Sequence, residues 1–421
     1  MLFRRSAITI FVLSVIIFSI FPNIFFLTSH SEQVSTTKIS SQVLPNLVMF
    51  DLPSLEELDD DNNHMLLESV KELVDQADFF LTKEPGSVME KEKNPPSGNK
   101  HDFFSLARFW WPDNTKKDLM PYVYRDGVFN PEVYSIPDRK NIHDMIYRVK
   151  ILSVAYYLTN NTLYASKATE LLRVWFLNND TQMNPNLQFA EVIYGKNNGS
   201  ASGIITTSYF SEVLDSIKLL QSSSAWTIED QRGIETWFKK YLVWLMDSDF
   251  GKREHKRLNN HGTWYDFQTS SIALFLNKTE IVRDIIRSNI EQKIDTKIDS
   301  NGSQPYEKER SKSMDYHIYN LQAFFNLARV GDYVGIDLWH YGSSKGSSLK
   351  KAIDYLLPYA LNNKAWPYKQ EGLIGEDNLA DIMCQASKHY ESTSYRQIYK
   401  AIIPENRIDG LDSLLYGCIS N

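Results

Sequence analysis

An all-α chain of antiparallel helix hairpins, closing into an (α/α) toroid or incomplete α/α barrel, is the fold predicted from these 421 residues. Three observations carry that expectation. Apolar residues recur at helical spacing through most of the chain from residue 64 onward. The helical stretches come in pairs joined by a few turn residues, the mark of αα-hairpins. Strand-like alternation is nearly absent before residue 360. Such hairpins, repeated over roughly 300 residues, curl into an array whose inner helices and their loops form a concave face.

Composition sets the outer limits. The chain is 43% hydrophobic and 13% aromatic, enough for one large core or two ordinary ones and too apolar for wholesale disorder. Its net charge is −7, from 45 basic and 52 acidic residues, which argues against a general nucleic-acid binder. A polyanionic ligand therefore needs a local basic site. No Cys-x-x-Cys, His-x-His or His-Glu-x-x-His pattern occurs, so no metal or other cofactor is expected. Cys384 and Cys418 are the only cysteines, open to one disulfide in an exported protein or to two buried thiols.

Residues 1–30 stand apart. Arg4 and Arg5 precede an apolar run over 7–21, broken by Pro22-Asn23 and resumed over 24–27. A charged n-region and a long apolar h-region without a small-x-small cleavage site read equally as a signal peptide or an uncleaved signal anchor. Either places the remaining chain outside the cytosol, secreted or anchored to a membrane. Asn160, Asn179, Asn198, Asn277 and Asn301 each open an Asn-x-Ser/Thr triplet for glycosylation. Roughly four are expected by chance in so Asn-rich a chain, so the count adds little. Residues 31–62, Ser/Thr-rich and then acidic, read as a flexible stalk. The folded domain is expected over 63–421.

Within it, Leu66, Val70, Leu73, Val74 and Ala77 share a helix face, and 83–100 is loop, marked by Pro85-Gly86 and Pro95-Pro96-Ser97-Gly98. An aromatic run, Phe103-Phe104 to Phe109-Trp110-Trp111-Pro112, follows. Aromatics this dense usually form core, yet adjacent Trp residues ended by Pro suit a loop over a groove, where indole faces make platforms for sugar rings. Ile142, Met145, Ile146, Val149, Leu152 and Tyr156 begin the first hairpin. Asn160-Asn161 turns it, and Ala165, Ala168, Leu171, Leu172 and Trp175 complete it. Further pairs fall at 209–220 with 227–246, 264–276 with 279–298, and 316–330 with 348–361. Thr227 and Asp230 form a helix-capping pair.

The chemistry gathers at Asn259-Asn260-His261-Gly262-Thr263-Trp264-Tyr265-Asp266. Asn favours caps, so Asn259 is expected at a helix start with His261 in the first turn, where free N–H groups favour an anion. The plainer reading is an N-cap followed by a buried aromatic patch. What favours chemistry is the downstream run carrying Arg310 and Tyr316. Amide, guanidinium, imidazole and phenol are the set needed for β-elimination on a uronic-acid polymer. Amides or Arg neutralise the carboxylate and stabilise the enolate-like anion. A base takes the C5 proton and an acid protonates the departing O4. An imidazole, with a reference pKa near ~6.5, suits the base; a phenol starts near ~10, and Arg310 beside it is expected to favour phenolate. One Tyr can serve both steps where H5 and O4 share a ring side; otherwise His and Tyr divide them. The run 252–257, rich in Lys and Arg, reads as a solvated helix end or as a recruiting patch for an acidic chain.

From about residue 64 to 370 the chain resembles the alginate lyase family of polysaccharide lyases. The resemblance lies in Pro95-Pro96-Ser97-Gly98-Asn99-Lys100-His101-Asp102, Trp110-Trp111-Pro112, Arg125-Asp126-Gly127 with Asn130-Pro131, Met183-Asn184-Pro185-Asn186-Leu187 and the Asn-Asn-His stretch. It implies an (α/α) toroid cleaving an alginate- or glucuronan-like polymer, with Asn260, His261, Arg310 and Tyr316 as catalytic residues. Asn259, Trp110, Trp111, Arg125, Trp264 and Tyr265 are the accompanying substrate-binding candidates. Two positions depart from the family pattern. Ala107-Arg108-Phe109 stands where Ala-Pro-Tyr is expected, and Glu191 where Gln is expected. A carboxylate at 191 repels a polyuronate, so altered specificity or lost activity is the expectation there. The competing readings are an inactive glycan-binding ectodomain of the same fold and a toroidal glycoside hydrolase. The latter needs two facing carboxylates. Asp266 and Glu309 are its candidates, each with a simpler role orienting His261 or Arg310.

Overall fold

A computed structural model describes residues 45–53, 64–361, 363–372, 376–390, 393–402 and 411–417. The leader expected over 1–30 lies outside the described residues. By contact the chain divides into 1–40 and 41–421, and everything below concerns the second part.

Helix α1 (His64–Leu81) packs on α2 (Asp138–Thr159), which pairs with α3 (Thr162–Leu172). The turn between α2 and α3 is the expected Asn pair. Asn160 closes α2 in the left-handed region, φ 54°, and the Asn161 side chain caps α3 by accepting from the Leu163 N–H. Next come α4 (Phe210–Leu220), α5 (Ile228–Asp247), short α6 (Asp249–His255) and α7 (Asn260–Phe275). Thr227 and Asp230 make the capping box at the start of α5. Helix α8 (Thr279–Ser288) runs on through a π turn (Asn289–Lys293) to Lys297, and α9 (Ser313–Asp332) and α10 (Leu349–Ala360) form the next pair. Helices α11 (Glu376–His389), α12 (Thr393–Ile402) and α13 (Leu411–Leu415) continue the hairpin pattern past residue 361, and α13 packs on α1.

The inner helices follow one another in space as well as in sequence. Helix α2 contacts α4, α4 contacts α7, α7 contacts α9, and α9 contacts α11. Among α2, α4, α9 and α11 opens a cavity of about 310 Å³ lined by His143 of α2, Glu212 of α4, Gln322 of α9 and Gln385 of α11. A helix in such an inner ring is covered on nearly all sides, so it needs no polar stripe. Helix α7 shows the consequence: Gln268, Thr269, Ser270 and Ser271 are buried beside Phe267 and Ile272. Three of them find partners inside: Thr207 Oγ1 donates to Gln268 Oε1 at 2.7 Å, and the Ser270 and Ser271 hydroxyls donate to the Phe267 carbonyl at 2.9 and 2.8 Å.

Two features depart from expectation. The stalk expected over 31–62 is corrected over 45–53, where Leu47, Val48, Met49, Phe50 and Leu52 are buried in the main core. The N–H groups of Val48, Met49 and Phe50 all donate to the buried carboxyl group of Asp215 on α4, so apolar burial and a fixed acceptor hold this segment down. Second, among the described residues four short strands lie in the loops: β1 (Phe104–Leu106), β2 (Trp110–Trp111), β3 (Val123–Tyr124) and β4 (Phe189–Val192). β1 pairs parallel with β4, and β2 antiparallel with β3. At two to four residues they are too short to show a period. Cys384, buried on α11, is disulfide-bonded; Cys418 lies outside the described residues.

Candidate active site

The start of α7 is built as the sequence suggests, and then braced by residues the sequence did not single out. Asn259 has extended backbone, φ −85° and ψ −172°, and precedes the first helical turn, in which His261 lies. Ser248 caps α6, which carries Glu254 back beneath that turn. Glu254 is 1% exposed, and its Oε1 lies 2.5 Å from His261 Nδ1. The carboxylate takes up one ring nitrogen, leaving Nε2 of a partly exposed imidazole for chemistry. Asn260 is fixed from the other side. Its backbone N–H and its Nδ2 donate to the two oxygens of buried Glu307, at 2.5 and 2.9 Å. Burial pushes the Glu307 carboxyl up to about 7, against the pull of the Asn260 donors and of the Arg310 and His261 charges.

Gly262 is required by close approach. A Cβ there would stand 2.1 Å from the Arg257 carbonyl oxygen and 3.1 Å from Lys297 Nζ. Lys297 is itself buried beneath the turn, donating to Thr263 Oγ1 at 2.9 Å. Burial lowers its pKa to about 7, partly offset by the Asp266 carboxylate.

Arg310 comes from the loop before α9 and Tyr316 from the first turns of α9. The Arg310 guanidinium carbon lies 3.7 Å from the centroid of the Tyr316 ring. Its Nη2 is 3.3 Å from Asp126 Oδ1. Asp126 follows β3 and also accepts from the Ser311 N–H at 3.0 Å and the Tyr124 hydroxyl at 2.8 Å. Burial pushes the Asp126 carboxyl up, but these donors and the Arg310 charge hold it down at about 2. Here the expectation for Tyr316 is corrected. Burial raises its phenol above the ordinary value and outweighs the lowering by Arg310, so the resting group is phenol rather than phenolate.

The remaining candidates divide. Trp110 and Trp111 pair with Tyr124 and Val123 across the β2–β3 hairpin, and both are half-exposed as a groove wall requires. Each indole carries a cation: Lys196 Nζ lies 4.4 Å from the Trp110 ring and exposed Arg125 lies 5.1 Å from Trp111. Asn259 is half-buried beside His261. Trp264 and Tyr265 do not line the groove. Trp264 is 1% exposed and packs against Tyr209, Phe267 and Tyr319, while the Tyr265 hydroxyl is spent on the Leu245 carbonyl at 2.8 Å. Trp264 is covered from the inner ring and Tyr265 from α5 and α6, so packing claims both side chains.

Asp266 and Glu309 are corrected as orienting residues. Asp266 is fully buried and bound to His255, Lys293 and Asn289, the last two delivered by the π turn after α8. Glu309 is exposed. A fully buried, cation-paired Asp266 cannot face a substrate as a hydrolase carboxylate must. The orienting carboxylates are Glu254 for His261 and Asp126 for Arg310. Glu254 had one signal in the sequence, its place within the charged run seven residues before His261. Glu307 had none.

Glu191 is the other correction. Its side chain is 12% exposed and meets Arg139 at 3.3 Å, Arg108 at 4.0 Å and the Ser202 hydroxyl at 2.7 Å. Burial raises its carboxyl, yet Arg139, Arg108, Ser202 and His261 together bring it below the ordinary value. It is an ionised carboxylate with its charge already compensated, so the expected repulsion of a polyanion does not arise.

Comparison with known proteins agrees with this architecture. An alginate lyase from Bacteroides ovatus superposes with a TM-score of 0.84 at 31% identity, covering 88% of this chain and 99% of that one. Alginate lyase A1-III from Sphingomonas species A1 superposes at 0.50 with 13% identity, over 82% and 94% of the two chains, a likeness of fold alone. An alginate lyase of Pseudomonas syringae pv. tomato is 27% identical over 111 residues, which are 26% of this chain and 29% of that protein. The sequence pattern of the alginate lyase family matches residues 87–366. The chain belongs to the alginate lyase family.

Proposed function

We propose that this protein is a polysaccharide lyase that cleaves a uronic-acid polymer, alginate- or glucuronan-like, by β-elimination. The observation that carries the reading is that Arg310 stacks on Tyr316 and is held by Asp126, while Glu307, bonded to Asn260 beside the Glu254-held His261, feels the charges of both Arg310 and His261. Arg310 neutralises the carboxylate of the sugar to be cleaved, and the Nδ2 hydrogen of Asn260 that Glu307 leaves free helps stabilise the anion formed at C5. The His261 imidazole takes the C5 proton through Nε2. The C5–H electrons form the C4=C5 double bond, the C4–O4 bond breaks, and Tyr316, a phenol at rest, protonates O4. No water is consumed. Trp110, Trp111, Arg125 and Asn259 bind the flanking sugars.

The test is to incubate the protein with alginate, glucuronan and glycosaminoglycans. Absorbance from the new C4=C5 bond is followed, and the products are weighed by mass spectrometry. Unsaturated ends are expected. Products one water heavier, with saturated ends, would remove the lyase reading.

The same reading places the domain outside the cytosol, by a leader over 1–30 that is either cleaved or kept as an anchor. All five glycosylation triplets fall on exposed Asn residues, as modification requires. In a eukaryotic host a glycosidase is expected to shift the gel mobility of the protein. An unshifted full-length species in the soluble cytosol would count against export.

A further inference from the structure

The mechanism above makes no use of Arg108, yet its turn is hydrogen-bonded to the segment that carries Asp126, the carboxylate holding Arg310. It sits in the turn between β1 and β2. β1 pairs with β4, the strand bearing Glu191, so the turn is fixed on one side by that ladder. On the other side the Arg108 carbonyl accepts from Asn130 N and the Phe109 carbonyl accepts from Arg125 N, both at 2.8 Å. Arg125 precedes Asp126, which holds Arg310. Contacts and backbone thus run without a break from Glu191 through Arg108, Phe109, Arg125 and Asp126 to Arg310 and Tyr316.

The side chain is anchored by its inner end and open at its outer end. Nε is buried without a hydrogen-bond partner and lies 4.0 Å from Glu191 Oε1, while the side chain as a whole is 42% exposed. Glu191 is fixed in turn by Arg139 and Ser202. Two guanidinium groups against one carboxylate leave a net positive charge. Arg139 Nη2 is committed to Glu191 and to Ser105, at 3.3 and 3.2 Å, so the exposed part of that charge is the Arg108 head. A planar guanidinium so presented matches a carboxylate. Its field reaches Tyr316 as well as Glu191.

We infer that Arg108, held by Glu191, is a specificity-determining residue that binds the carboxylate of the uronate next to the one being cleaved. Arg310 serves the reacting sugar; Arg108 serves its neighbour, and Glu191 is a positioning residue. The protein then requires two consecutive uronates rather than one. The inference rests on the lyase reading for its substrate class.

The test uses uronate oligosaccharides in two forms, fully charged and with the carboxylate neighbouring the scissile sugar reduced to a neutral hydroxymethyl. Binding is measured calorimetrically on the full chain carrying Tyr316→Phe, with and without Arg108→Gln, and kcat/KM is measured with Tyr316 intact. The Arg108-bearing protein is expected to prefer the charged form by about tenfold or more, and Arg108→Gln to reduce that preference to near unity. Glu191→Gln, leaving Arg108 without its anchor, is expected to weaken the preference in KM rather than kcat. A structural role for Arg108 would lower both substrates together and keep their ratio, and that result would overturn the inference. Equal binding of both forms to the Arg108-bearing protein would overturn it too, whether or not turnover is seen. Absence of unsaturated product, with the binding preference intact, would instead count against the lyase reading alone.

Discussion

The guanidinium of Arg310 lies face-on to the ring of Tyr316, 3.7 Å from its centroid, while Asp126 holds the guanidinium from the side. This arrangement separates two functions that one substitution could confuse. The ring packs against the cation, and only the hydroxyl is left for proton transfer.

Tyr316→Phe keeps the stacked ring and removes that hydroxyl. Turnover is expected to fall by at least the ~10²–10⁴-fold typical of a lost acid–base group. Substrate affinity and thermal stability should change little. Wild-type-like turnover on the true substrate, read from double-bond absorbance, would sink the assignment.

Glu254→Gln tests the brace on His261. A carboxylate accepts only, so it holds Nδ1 as the donor; an amide can donate instead and stabilise the wrong tautomer. A loss of about 10²-fold in kcat is expected with KM nearly constant. An equal effect on KM and kcat would show that Glu254 shapes the groove rather than the base.

Asp126→Asn removes the counter-charge of Arg310 but keeps a side chain of the same size. Affinity for oligouronate is expected to fall by about tenfold, or ~1.4 kcal/mol. Calorimetry on the Tyr316→Phe background isolates binding. Unchanged affinity would mean that the Tyr316 ring alone positions the guanidinium.

Gly262→Ala places a methyl against the Arg257 carbonyl, which as backbone cannot swing aside. Overpacking of this kind costs about 1–3 kcal/mol. Thermal unfolding should show a lowered Tm, and activity should fall as His261 is displaced. A stable, fully active variant would show that the turn at the start of α7 is looser than this contact allows.

Glu307 gives a pH-dependent signature. Its carboxyl is raised from an ordinary 4.5 to about 7 in the folded protein, chiefly by burial. Between those values the folded state holds more protons than the unfolded state, so this group's contribution is fully present below 4.5 and is lost as pH rises through about 7. The full span corresponds to ~3 kcal/mol. Glu307→Gln is expected to flatten the slope of unfolding free energy between pH 4.5 and 7 relative to wild type. Chemical denaturation at several pH values reads this directly, and parallel curves for the two proteins would rule it out.

What the sequence by itself determined is what short-range physics controls. Apolar spacing and the Asn160-Asn161 and Thr227–Asp230 signals depend on residues within a few positions of one another, so the hairpins, their turns and the place of His261 in a first helical turn were legible. Which side chain would meet which was not. Arg310 is joined to Asp126 across 184 positions and Asn260 to Glu307 across 47, and no local pattern marks such partners. The tertiary structure also decided burial: Trp264 and Tyr265 stand one turn past His261 on the same side of α7, yet neighbouring helices cover them there, while His261, in the first turn at the helix end, stays partly exposed. It decided charge as well. Glu191 reads as a liability alone, but the fold brings Arg108 and Arg139 to it, and a carboxylate's effect on a ligand depends on the charges within a few ångströms rather than on its own sign.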